Sequence, residues 1–213
     1  MYSTPPPAFD IMTEQEALYI HLLFGLKDKN LGMMESNFIS LIYNSMQSLQ
    51  HSWRQLCLDI ESGVIDPALN IDPEVRKQLQ KYMTPDFARS AELRQEFQKG
   101  FDGIVRRIWP HMYMVLSVDT GSFELYGKLL QEEELKGVPV YSPLYAASEG
   151  LIGLNVNPLA EKREYLLVPD AMFFEFIPVE KTSEVQPDTL FGDQVQEILI
   201  HFKFLIKNLY HIS

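Results

Sequence analysis

"MYMVLSVDTGSFELYGKLLQEEELKG", residues 112–137, decides the fold class. "MYMVLSV" is a run of strand formers, the turn-prone "DTGS" ends it, and helical spacing follows in "FELYGKLLQEEELKG". Strand, turn and helix in immediate succession imply an α/β layer. Toward the C-terminus, "VPVYSPLYAAS", "YLLVP" and "FFEFIP" read as brief strands bounded by Pro and Gly. From about Gln194 the spacing is helical again, with apolar residues at Val195, Ile198, Leu199, Phe202, Leu205, Ile206 and Leu209.

The half before residue 112 reads as helical. Thr13 and Glu16 have the spacing of a capping box, which predicts a helix to about Leu26. Phe38, Leu41, Ile42, Met46, Leu49, Trp53, Leu56, Cys57 and Ile60 recur in steps of three and four. That stripe predicts one long helix, or two nearly collinear ones, stopped near Gly63. "DPEVRKQLQKYM" and "TPDFARSAELRQEF" each place Pro directly after a capping-type residue, where its missing N–H does no harm, and predict two shorter helices.

The chain has 213 residues, 46% of them hydrophobic, enough to bury a core. Its net charge of −11 repels a phosphate backbone, so nucleic acid is excluded as the expected partner. Cys57 is the single cysteine, which rules out an internal disulfide and fits a reducing, cytoplasmic setting. "MYSTPPPAFD" lacks the basic and apolar regions of a secretion signal. The apolar tail carries Glu197, His201, Lys203 and Lys207 within a span too short for a bilayer, so no transmembrane segment is expected.

Few side chains suggest chemistry. The five histidines are scattered and none has metal-ligand spacing. Cys57 lies on the apolar stripe, where a buried thiol is the ordinary reading. Arg106 and Arg107, adjacent on a helix, diverge by ~100° and read as surface pairs. The acidic run 131–134 reads as a solvated helix face.

The stretch "SPLYAASEGLIGLN", residues 142–155, differs because its groups are complementary. Tyr145 offers an aromatic face for a heterocycle, Ala146 and Ala147 permit close approach, Ser148 can donate to a phosphate oxygen, and Glu149 can hold Mg²⁺. Gly150 and Gly153 allow a tight turn or the close approach of a substrate. Composition leaves a structural turn and a nucleotide site both open.

The chain resembles the plant auxin-responsive Gretchen Hagen acyl-acid amido synthetases and their animal and bacterial relatives. The resemblance rests on "YSTPPPAFDI", "WRQLCLDIESG", "GIVRRIWP", "DTGS", "YAASEGLIGLN" and "YLLVPDAMFFEFIP", which occur in family order over about residues 1–195. It implies membership of the adenylate-forming superfamily, whose second nucleotide motif is similar to Tyr-Gly-x-Thr-Glu and is met by residues 145–149. The roles it implies are adenine contact for Tyr145, a bond to the α-phosphate for Ser148, and Mg²⁺ coordination for Glu149, with Ala146 and Ala147 between them. Thr120, Gly121 and Ser122 match the preceding loop, near the adenine and acyl pockets, and Leu151 and Ile152 match positions lining the acyl pocket. The implied ligands are ATP, Mg²⁺, a carboxylic acid and an amino acid or amine.

The implied fold is α/β, with a helical first half packed on part of a mixed sheet, as in a fragment of the large N-terminal domain of an adenylate-forming enzyme. Nothing here resembles the family's Ser/Thr/Gly-rich first motif or its Tyr-Arg-x-Gly-Asp third motif. The expectation is therefore a partial domain over 1–195, a divergent amphipathic helical tail over 196–213, and no catalysis by this chain alone. A noncatalytic binding protein, with the apolar tail covering an edge or meeting a protein partner, is the alternative.

Overall fold

The computed structural model describes residues 2–148, 150–158, 160 and 164–194. The tail expected over 196–213 lies outside these residues, and so does Glu149.

The first half is helical, as expected. Helix α1, Glu14–Lys27, buries every residue from Tyr19 to Leu26 except the half-buried His21, so it runs through the interior as a central helix. Thr13 is its N-cap, yet the hydroxyl makes no capping bond; it pairs with Glu16 and holds that carboxyl below its ordinary range. Helix α2, Ile39–Ser62, carries the long stripe except Phe38, which stands before it as an extended N-cap residue, and buries Ile39, Ile42, Met46, Leu49, Leu56, Cys57 and Ile60 against α1 and α4, Phe87–Gln98. Gly63 ends α2 with a left-handed φ of 70°, and a Cβ there would lie 2.5 Å from the Pro85 nitrogen, so only glycine fits.

Helix α3, Pro73–Gln80, is capped as expected by Asp72, whose carboxylate accepts from the backbone N–H groups of Glu74 and Val75. For α4 the cap is Asp86, which accepts from the Arg89 N–H at 2.9 Å; Thr84 does not cap, and Pro85 precedes the cap instead of following it. Arg89 is buried and donates to the carbonyls of Leu26 and Ile108, joining the C-terminal ends of α1 and of α5, Ile104–Ile108. The Trp109 indole donates to Gly25 O at 2.8 Å. Both side chains satisfy helix-end carbonyls that burial would otherwise orphan.

Strands β1, Met33–Phe38, β2, Met114–Val118, and β3, Val140–Tyr141, form a parallel sheet in that order. Helix α6, Glu124–Glu132, crosses from β2 to β3, which makes residues 112–137 the strand, turn and helix expected of them. A second, antiparallel sheet holds β4, Leu144–Ala147, β5, Gly150–Leu154, and β6, Leu166–Leu167. Among the described residues the strands thus divide between one parallel and one antiparallel sheet.

Four details differ from the sequence reading. "MMESNF" is strand β1, whose polar Glu35, Ser36 and Asn37 hide its character at the sheet edge. "FFEFIP" contributes a single bridge, Phe176 to Leu190, in place of a strand. Helix α6 stops at Glu132 short of Gly137. Glu134 is no solvated side chain: it is 2% exposed, accepts from Gln50 Nε2 at 3.0 Å, and has its pKa raised by burial.

Candidate functional site

The candidate residues lie on two segments that leave the same end of the parallel sheet. The carboxyl end of β2 runs into Asp119, Thr120, Gly121 and Ser122, while that of its neighbour β3 runs through Ser142 and Pro143 into β4. Crevices beyond the carboxyl ends of parallel strands are where open α/β sheets hold ligands.

In the first segment, Gly121 turns with a φ of 63° into a 3-10 turn, Gly121–Phe123, that leads into α6. Thr120 is half-buried, and Gly121 and Ser122 are exposed. Phe123 stacks on Phe38 with centroids 4.8 Å apart, and Tyr126 lies against Tyr43 at 5.3 Å. Aromatic pairs therefore fix the start of α6 against β1 and α2.

In the second segment, β4 and β5 pair as an antiparallel hairpin, with Ser148 at a turn directly after β4. Strand β4 delivers Tyr145 as a half-buried ring, Ala146 is exposed, Ala147 is half-buried, and Ser148 is exposed at the turn. The expected strand that delivers Tyr145 is β4, whereas Ser148, read as the end of that run, lies at a turn beyond it. Leu151 is half-buried and Ile152 is 1% exposed, so Ile152 is packed within the protein. Gly153 permits a close approach, but the neighbour that approaches is the chain itself: a Cβ there would meet Tyr165 Cβ at 3.0 Å and Leu166 O at 3.1 Å.

Sequence reading missed the braces of this hairpin. The Tyr165 ring lies 5.6 Å from that of Tyr145 at 45°, and its hydroxyl donates to Ser142 Oγ at 3.0 Å. The Tyr141 hydroxyl donates to Asn155 O at 2.6 Å, and Asn155 N–H donates to Pro143 O at 2.8 Å. The only signal for them was their flanking position, Tyr165 one residue before β6 and Ser142 one after β3.

Beside the hairpin is an open, mainly apolar cavity of about 800 Å³, lined by Tyr165, Leu166, Met172, Phe173, Phe176 and Phe191 among others. Met172 Cε reaches to 3.0 Å from where a Cβ on Gly150 would stand. Elsewhere, Cys57 is buried, and burial pushes its thiol up to about 11, which keeps it protonated and unreactive.

Mg²⁺ fits this donor set in one way. Among the described residues no three His, Cys, Asp or Glu side chains gather for an all-protein metal cage. Mg²⁺ bound with ATP needs none, because one or two carboxylates and the phosphates themselves supply its protein and substrate ligands. An exposed Ser148 with a carboxylate next in sequence is compatible with that mode.

Comparison with known proteins gives a consistent pattern. The profile described as "GH3 family N-terminal domain" matches residues 1–140. A probable indole-3-acetic acid-amido synthetase of Oryza sativa subsp. japonica is 36% identical over 180 residues, covering 82% of this chain and 28% of that protein. A jasmonoyl-L-amino acid synthetase of the same rice is 32% identical over 171 residues, covering 78% of this chain and 29% of that protein. The solved structure of the GH3.15 acyl acid amido synthetase superposes with a TM-score of 0.75 at 27% identity, over 82% of this chain and 32% of that one. The family profile ends before the β4–β5 hairpin. The chain spans about a third of the length of the curated relatives it matches.

Proposed function

The chain belongs to the GH3 family, and from that premise we propose that its β4–β5 hairpin is the central part of an ATP site serving acyl-acid amide synthesis. The observation that carries the proposal is the hairpin's geometry, with a braced, half-buried Tyr145 and an exposed Ser148 three residues on, beyond the carboxyl end of a parallel sheet.

The substrates are a carboxylic acid and an amino acid or amine. A carboxylate oxygen attacks the α-phosphorus of ATP and expels pyrophosphate, giving an acyl-adenylate. The amine nitrogen then attacks the acyl carbon, AMP leaves with the electrons of the C–O bond, and the nitrogen releases its proton. No protein nucleophile is required, so catalysis is positioning and charge neutralisation. In this reading Tyr145 receives the adenine on its ring, Ala146 and Ala147 leave room beside it, and Ser148 donates to an α-phosphate oxygen. Glu149 is the side chain that would hold Mg²⁺, which when bound neutralises phosphate charge. Thr120, Gly121 and Ser122 border the adenine and acyl pockets, and Leu151 and Ile152 support the acyl side. A lone buried thiol suits a reducing, cytoplasmic setting. Among the described residues, no helix is long and apolar enough to cross a membrane.

Carrying one of three nucleotide motifs, the 213-residue polypeptide by itself is expected to bind ATP–Mg²⁺ weakly and to release no pyrophosphate. Thermal denaturation tests the reading: ATP–Mg²⁺ raises the melting temperature of the wild type, and Glu149→Ala abolishes the rise. The 800 Å³ cavity, with Phe173 70% and Phe191 47% exposed, favours a second reading as a noncatalytic binding protein. That reading is the one supported if neither form responds to ATP.

A further inference from the structure

We propose that Tyr165 is a positioning residue that holds the Tyr145 ring at the angle it offers to adenine, and that the buried Ser142 hydroxyl fixes Tyr165 in turn. The inference rests on the nucleotide reading of the hairpin.

Tyr145 sits at an irregular point of its own sheet. Its partner across β4 and β5 is Gly153, which has no side chain to support a ring, and the ladder shifts register between Tyr145 and Ala146. Tyr165 stands where the Gly153 side chain is missing. Its Cβ lies 3.0 Å from where a Gly153 Cβ would stand, so the tyrosine occupies the space the glycine leaves, a known way for an aromatic to shield a strand glycine. From there its ring meets Tyr145 at 5.6 Å and 45°, within the range of favourable tilted aromatic pairs.

Tyr165 is itself tied down at its far end. Its hydroxyl donates at 3.0 Å to Ser142 Oγ, and Ser142 is 1% exposed. Ser142 directly follows β3, so the anchor adjoins the parallel sheet, while Tyr145 stands within β4 of the antiparallel one and Tyr165 directly precedes its β6. The Ser142–Tyr165–Tyr145 chain thus carries the rigidity of one sheet to the candidate adenine face on the other. Tyr165 also forms part of the wall of the apolar cavity, so without its ring Tyr145 gains an apolar space to turn into. A ring already held in its bound orientation loses less freedom when a ligand stacks on it, which is how a residue that never touches the nucleotide affects affinity.

The test uses protein with ¹³C-labelled tyrosine rings, read by NMR, together with ATP–Mg²⁺ titrations. Tyr165→Leu is expected to move and sharpen the Tyr145 ring resonance as the ring gains mobility. Tyr165→Phe and Ser142→Ala, which keep the aromatic ring and remove the anchor, are expected to produce a smaller shift in the same direction. ATP affinity is expected to fall about three- to ten-fold in Tyr165→Leu and about two- to three-fold in the anchor variants, the range an aromatic pair or a single hydrogen bond supports. In a Tyr145→Leu background, Tyr165→Leu is expected to cost nothing further, whereas a merely structural role gives additive losses. A Tyr145 resonance unchanged in all three variants overturns the proposal, and so does additivity. If wild-type protein shows no response to ATP, the nucleotide reading fails, and the resonance of Tyr145 still decides the positioning.

Discussion

Gly153→Ala puts the close packing behind the candidate site to a test of sign. On a strand free of steric neighbours this substitution stabilises by about 0.4–1 kcal/mol, because alanine restricts the unfolded chain. Here the new methyl meets Tyr165 Cβ at 3.0 Å and Leu166 O at 3.1 Å, whereas carbon contacts are comfortable at about 3.5–4.0 Å. Neither atom can rotate away, since one is rooted on the backbone and the other belongs to it. Strand β6 must therefore shift by several tenths of an ångström, at the cost of about 1–3 kcal/mol typical of an overfilled interior. The net expectation is about 1–2 kcal/mol of destabilisation. With only two residues in β6, the loss is local opening before it is global unfolding. Amide hydrogen exchange at Val168, whose N–H donates to Ile152 O at 3.0 Å, reads it directly, with an expected acceleration of about 5- to 30-fold. Gly192→Ala, where nothing lies within 4 Å of the added Cβ, is the control and should leave Val168 unchanged. Slower exchange in Gly153→Ala would refute the packing on which the Tyr165 brace depends.

Three further outcomes follow from the helical half. Gly63 and Gly100 both have left-handed φ, 70° and 87°, but only Gly63 has a neighbour, the Pro85 nitrogen 2.5 Å from its would-be Cβ. In urea denaturation Gly100→Ala should cost about 1–2 kcal/mol from conformation alone, and Gly63→Ala about 1–3 kcal/mol more. Arg89→Met should cost about 2–4 kcal/mol by the same assay, because it leaves the Leu26 and Ile108 carbonyls buried without their donor. Burial pushes the Asp59 carboxyl above the ordinary range, although the Asp66 N–H, Gln55 and Tyr19 bonds pull it back in part. The folded state then keeps a proton that the unfolded state has released. The contribution of Asp59 is accordingly fullest at low pH and falls as pH rises from the ordinary carboxyl value through the raised one. Subtracting the stability of Asp59→Asn from that of wild type across this window should show the decline; a flat difference would contradict it.

What could be read from the sequence follows from whether a signal is local. The α2 stripe and its Gly63 stop are one helix's own periodicity and cap, and the strand, turn and helix of 112–137 fit within one continuous stretch. Strand β1 escaped because Glu35, Ser36 and Asn37 break its apolar pattern at a sheet edge. Glu134 looked solvated because the partner that admits it to the interior, Gln50, is 84 residues away. At the candidate site, Tyr145 and Ser148 stood out by residue type, Tyr145 on an expected strand. Tyr165 and Ser142, 23 residues apart in the chain, meet only once β6 lies along β5. Their contact is a product of register, which no spacing along the sequence encodes.

The central claim is that adenine lies against Tyr145, and photolabelling with 8-azidoadenosine triphosphate and Mg²⁺ tests it most directly. Trypsin releases Tyr145 in one peptide running from Gly137 to Lys162. The label is expected on that peptide, to be suppressed by excess unlabelled ATP, and to be lost in Tyr145→Leu. Label competed by ATP that falls on other peptides, with this one unmodified, would contradict the account.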